Sequence, residues 1–105
     1  MKILKLEDFN RENKNNTYYV NMADSTYIFR VRWSDYCECG FLSISDYNNN
    51  TIVSGKALVN NLVIRNHNLP YTLYFVQLYG ETYEPTIDII ANEFAIVYED
   101  EDNGN

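Results

Sequence analysis

The residues of this chain that could do chemistry are few and scattered. Cys37 and Cys39 lie one residue apart, and the sole histidine is His67. A thiol and an imidazole become a nucleophile and its base when the fold brings them together and a third group orients the base; no local spacing joins these. Zinc asks for about four closely placed ligands, which one Cys-x-Cys and one distant His do not supply. Asp46-x-Asn48-x-Asn50 imitates the first three oxygen positions of a calcium-binding loop. The imitation then fails, because Thr51 stands where such a loop needs Gly and Ala57 where it needs a bidentate Glu. Asp35, Asp46, Glu81 and Asp88 would suit glycoside hydrolysis only as a facing pair at a set separation, and the sequence gives no such pair. The reading is an asparagine-rich turn, solvated carboxylates, a surface histidine and two small buried, reduced thiols. No catalytic residue, metal site or cofactor is expected.

Arg30 and Arg32 are the more informative charged residues. They sit in Tyr27-Ile28-Phe29-Arg30-Val31-Arg32-Trp33, where Tyr27, Phe29, Val31 and Trp33 alternate with a set that includes both arginines. Period-two alternation marks a strand with one face buried. Two uses for the arginine face stand side by side. Either the arginines pair with nearby acids, worth only about 0 to 1 kcal/mol each when exposed, or they serve an interface, where Arg combines charge, planar donors and stacking on Tyr.

A chain of 105 residues is short enough to be one domain, and by size scaling it buries roughly 65% of its unfolded surface. Aromatic residues make up 15%, with ten tyrosines, a composition that favours strands and surfaces both apolar and wet. Removing the four acids of Glu99-Asp100-Glu101-Asp102 from a formal net charge of −7 leaves −3. The body is thus mildly acidic, which argues against free nucleic acid as a ligand, since phosphate binding needs clustered Lys and Arg. Residues 1–98 read as a single β domain and 99–105 as an acidic, flexible tail. The N-terminus carries charge too early for a signal peptide and no apolar run is of membrane-spanning length, so a soluble product of cytoplasmic synthesis without membrane insertion is expected. Asn15-Asn16-Thr17 and Asn49-Asn50-Thr51 match the glycosylation pattern, but without a secretory route they are coincidences of composition.

Strands are expected at residues 3–6, 17–22, 27–33, 41–46, 51–53 and 71–78, with a last one over 93–99. Ala23-Asp24-Ser25 and Tyr47-Asn48-Asn49-Asn50 supply hairpin turns, and Gly55 marks a bulge or bend. Residues 56–64 fit two short strands about Asn60-Asn61 or one bent strand, and 89–91 fit a helical turn or a strand start. With Leu42 and Ile44 joining Tyr27, Phe29, Val31 and Trp33 as core anchors, the fold class is all-β: a small antiparallel β-sandwich or partly open β-barrel of about seven short strands.

In this order and spacing, the opening strand 27–33, Phe41-Leu42-Ser43-Ile44-Ser45-Asp46 with its polar turn, Ile52-Val53-Ser54-Gly55-Lys56-Ala57-Leu58-Val59, Leu62, Leu69-Pro70 and Ile96-Val97-Tyr98 resemble the phage baseplate plug domain family first defined in a cyanophage contractile tail. The resemblance implies a non-enzymatic virion component at the central hub of the tail baseplate, closing or bracing the end of the tail tube until ejection. It also implies partners: other hub and tail-tube proteins, and copies of the chain in rotational symmetry. The candidates for such docking are Arg30, Arg32, Tyr19, Tyr36 and Tyr47. A small module that binds carbohydrate or protein through Tyr and Trp33 is the alternative, and it requires aromatics exposed around a concavity.

Overall fold

A computed structural model describes residues 1–81 and 84–99. Alternating apolar residues give eight strands: β1 (Lys2–Lys5), β2 (Asn15–Met22), β3 (Ser25–Ser34), β4 (Cys39–Asp46), β5 (Thr51–Ala57), β6 (Leu62–Ile64), β7 (Leu73–Gln77) and β8 (Phe94–Tyr98). One helical turn, α1 (Ile90–Glu93), precedes the last. They form two four-stranded antiparallel sheets, ordered β2-β3-β4-β5 and β1-β8-β7-β6. The sheets are not closed on each other, so the architecture is the sandwich rather than the barrel. Beyond Glu99, the expected acidic tail lies outside the described residues.

The first sheet is a meander of consecutive hairpins. Ala23 and Asp24 connect β2 to β3 with φ of 51° and 67°, which is the pairing of left-handed residues that a two-residue hairpin loop requires. The β4–β5 turn is built on Asp46, whose Oδ1 accepts the amides of Asn48 and Asn50, both at 2.9 Å, while Asn49 takes φ 68°. Gly55 has φ 58° at the irregularity of β5, its amide donates to Ser43 Oγ at 2.9 Å, and the β4–β5 register shifts there, as a bulge demands. Between β5 and β6 the chain turns at Asn61 (φ 67°), so two short strands, not one bent strand, occupy this stretch.

The second sheet joins the two ends of the chain: β1 pairs with β8, Lys2 against Tyr98 and Lys5 against Ala95. One core lies between the sheets. Phe29, Val31, Leu42 and Ile44 are buried from one side and Leu73, Phe75, Phe94 and Ile96 from the other; Phe75 and Phe94 stack with ring centroids 5.2 Å apart. Tyr27 is half-buried against the same cluster. Residues outside the strands complete it. Phe9, Leu58, Leu69 and Ile87 are buried, and Leu6 and Leu4 turn inward while Ile3 is exposed.

Candidate functional site

Because β3 buries alternate side chains, the other set is forced outward, and the β2–β3–β4 register arranges it in rows. Asn15, Arg32 and Phe41 form one, Thr17, Arg30 and Ser43 the next, and Tyr19, Ile28 and Ser45 a third. Around the two arginines lies a shallow depression of about 430 Å³ floored by Val31 and bordered by Thr17, Phe41 and Ser43.

The arginines do not pair with acids: among the described residues the ion pairs are Arg11–Asp88, Lys14–Asp35 and the N-terminus with Glu99. Arg30 instead donates to Ser45 Oγ at 3.2 Å and to Asn49 Oδ1 at 3.3 Å, so the asparagine-rich turn that follows β4 steadies its guanidinium. Arg32 lies over the Phe41 ring, 4.9 Å from its centroid. Both stay exposed. Two positive charges are thus held in defined positions by neutral groups, with their capacity for carboxylate unused. Tyr19 borders this face and is 68% exposed; Tyr47 is equally exposed in the β4–β5 turn, and Tyr36 is 98% exposed in the β3–β4 turn. The three tyrosines therefore do not form one patch: Tyr36 and Tyr47 stand at opposite ends of the β3–β4 hairpin. Ile28, on the arginine side by alternation, is only 5% exposed.

The other sheet presents a different outer surface. Ile3, Val97, Tyr74 and Val63 lie side by side across all four strands, and Ile3, Tyr74 and Val63 are exposed. Lys5 closes one edge of this face with its ammonium 5.3 Å from the centroid of the Tyr79 ring.

The groups considered for chemistry are not assembled. Cys37 is exposed rather than buried, because it falls in the tight turn between β3 and β4, and Cys39 starts β4 half-buried. Burial is the main influence raising the Cys39 thiol above its ordinary range, with the neighbouring Cys37 adding to it; this is the wrong direction for a nucleophile. His67 is exposed beside Asn68, which borders a depression with Ser25 and Tyr47, at the end of ten-residue β3 opposite the cysteines. That strand spans about 30 Å, far beyond hydrogen-bond reach. Asp35, Asp46 and Asp88 are separately engaged. Asp35 takes Lys14 at 2.8 Å, and Asp88 accepts from Arg11 at 2.6 and 3.1 Å. The Arg11 guanidinium holds the Asp88 carboxyl below its usual range, and hydrogen bonds from the Asn50 backbone and side chain do the same for Asp46. The calcium-like motif is therefore a turn whose aspartate binds its own backbone. Among the described residues no cluster of three His, Cys, Asp or Glu could hold a metal ion. Trp33 is 8% exposed, and the depression it borders with Arg11, Asp35, Glu38, Thr86 and Ile87 contains no second aromatic residue, so Trp33 does not head an aromatic groove there. Among the described residues no helix is long and apolar enough to cross a membrane.

What the geometry offers is a surface for contact. Compared with known proteins, residues 1–101 match the family model described as "Cyanophage baseplate Pam3 plug gp18". No curated protein matches the chain.

Proposed function

The chain belongs to the cyanophage baseplate plug family, a structural component of the phage tail baseplate, and from that membership we propose that it sits at the central hub and braces or closes the end of the tail tube before ejection. Copies arranged in rotational symmetry, together with hub and tail-tube proteins, form its surroundings. The observation that carries this reading is the family match along nearly the whole chain. The engagement of Asp35, Asp46 and Asp88 in local structure and the separation of Cys37 from His67 favour a non-catalytic role.

Within that role Arg30 and Arg32 are the docking residues, since they are exposed, positioned and without acidic partners among the described residues. Charges held in place before contact add specificity and speed to association. Arg30→Glu combined with Arg32→Glu is expected to leave the melting temperature within a few degrees of wild type, because exposed substitutions cost about 0.5 kcal/mol or less. The same change lowers the amount of this chain in purified baseplates at least tenfold. Equal incorporation of wild type and double variant would remove the arginines from the interface, and absence of the wild-type chain from baseplates would remove the hub assignment itself.

A further inference from the structure

The four edge strands of the sandwich differ in how they discourage the addition of another strand. β1 carries Lys2 and Lys5, β6 has three residues followed by Arg65, and β5 is interrupted at Gly55 and bears Lys56. Charge, shortness and bulges are the usual protections of an edge. β2 has none of them: its sequence Asn-Asn-Thr-Tyr-Tyr-Val-Asn-Met contains no charge and no proline, and all eight residues stay in register with β3.

The direction of its backbone groups follows from the ladder. The Trp33 amide donates to the Lys14 carbonyl at 2.8 Å, and antiparallel pairing alternates from there. Asn16, Tyr18, Val20 and Met22 thus face β3, while the amides and carbonyls of Asn15, Thr17, Tyr19 and Asn21 face away from it. All four of these residues are exposed. The Thr17 amide is taken by Asn16 Oδ1 at 3.1 Å; Tyr19 and Asn21 keep open donors among the described residues.

A strand laid along this edge would continue the rows that contain Arg30 and Arg32. Its outward side chains would stand two strand spacings from the β3 backbone, roughly 9 to 10 Å. Glu bridges that gap with Arg30 or Arg32 once their guanidinia swing toward β2 from Ser45, Asn49 and Phe41, where they lie on the β4 side. Complementary charge therefore calls for carboxylates on alternate residues of the incoming strand. No described strand of this chain offers that: the only acid in any of them is Asp46, which is occupied by its own turn. We propose that the open edge of β2 receives an extended acidic segment of a different baseplate protein, joined by backbone hydrogen bonds to Tyr19 and Asn21 and by carboxylates to Arg30 and Arg32. This rests on the baseplate role proposed above and names the chemistry of the partner.

The test uses phage carrying variants of the chain, with purified baseplates assayed for the chain and for amide hydrogen exchange. Tyr19→Pro removes an outward donor without touching the β2–β3 ladder, a place where an edge tolerates proline. Thr17→Glu places a carboxylate opposite Arg30, where it satisfies the arginines and repels an acidic strand; Thr17→Gln is its neutral control. Tyr19→Pro and Thr17→Glu are expected to fall at least tenfold in baseplate content and Thr17→Gln to match wild type, while the Tyr19 and Asn21 amides of the wild-type chain exchange at least tenfold more slowly in baseplates than in the free protein. Should Tyr19→Pro not fold, the Glu and Gln variants and the wild-type exchange decide. Normal incorporation of Thr17→Glu, or unchanged exchange at both amides, overturns the inference while leaving the baseplate role intact; wild-type chain missing from baseplates overturns both. A free dimer that Tyr19→Pro dissociates would make a second copy the occupant. Protection in the free monomer that vanishes on removal of residues 99–105 would make it the chain's own acidic run. Either result overturns the inference.

Discussion

The two sheets enclose one core yet are assembled and finished in opposite ways. β2-β3-β4-β5 follow one another in sequence, joined by tight turns, and their outer face is polar and cationic. β1-β8-β7-β6 bring the first strand against the last, and their outer face is an apolar row from Ile3 to Val63. Folding demands only that each sheet bury its inner face. The outer faces are free to differ, and the difference lies where the arginines are held by Ser45, Asn49 and Phe41.

The comparison is tested most severely from the core side. Phe29→Ala beneath the cationic face and Phe75→Ala beneath the apolar one should each cost about 3 to 5 kcal/mol in urea unfolding, the usual result of deleting a buried phenyl group; both residues are fully buried. Similar costs would show that the sheets are equal partners inward and distinct only outward. A much smaller loss for Phe75→Ala would mean that the meander is stable with little help from the sheet that joins the ends of the chain.

Turn chemistry separates the sheets more finely. Ala23 holds φ 51° in the β2–β3 hairpin, a conformation in which a Cβ is disfavoured by about 1 kcal/mol and which Asn or Gly adopts more readily. Ala23→Asn is therefore expected to raise stability by about 1 kcal/mol, read as a shift of the urea midpoint with an unchanged slope. A destabilised variant would show that the alanine serves some purpose other than the turn.

The smallest effect is one of pH. Asp46 lies inside a turn of the meander, whereas Asp88 ties a loop before α1 to Arg11 after β1, and both carboxyls are held below their ordinary range by these partners. A folded-state pKa below the unfolded value contributes stability that is complete above about pH 4 and lost as pH falls through the folded value. Asp46→Asn and Asp88→Asn should each flatten the fall in thermal stability below pH 4 and leave the slope above pH 5 unchanged. A difference from wild type confined to neutral pH would contradict this origin. Asp88 is exposed and Asp46 half-buried in a surface turn, where solvent screens both, so the changes are small.

The meander was largely legible in the residues. Tyr27 to Trp33 alternate apart from Ile28, Ala23-Asp24 and the Asp46–Asn50 segment carry turn chemistry, and Gly55 marks the bulge; each signal acts within a few residues of its effect. The arginine positions were legible too, but not the nature of their contacts. Acids abound in the sequence, yet Arg30 bonds to Ser45 and Asn49 because the β3–β4 register and the β4–β5 turn bring those neutral groups to it.

What the sequence determines by itself is thus the all-β character, most strand positions and the separation of an apolar from an arginine face, since strand alternation and turn preference are local properties. Tertiary structure alone decides the pairing of β1 with β8, the entry of Phe9, Leu58, Leu69 and Ile87 into the core, the exposure of Cys37, and the separation of Cys37 from His67. It also decides which edge is open. The uncharged sequence of β2 is plain to read, but a strand becomes an edge only when its neighbours are fixed, and those neighbours are chosen by burial across the whole chain.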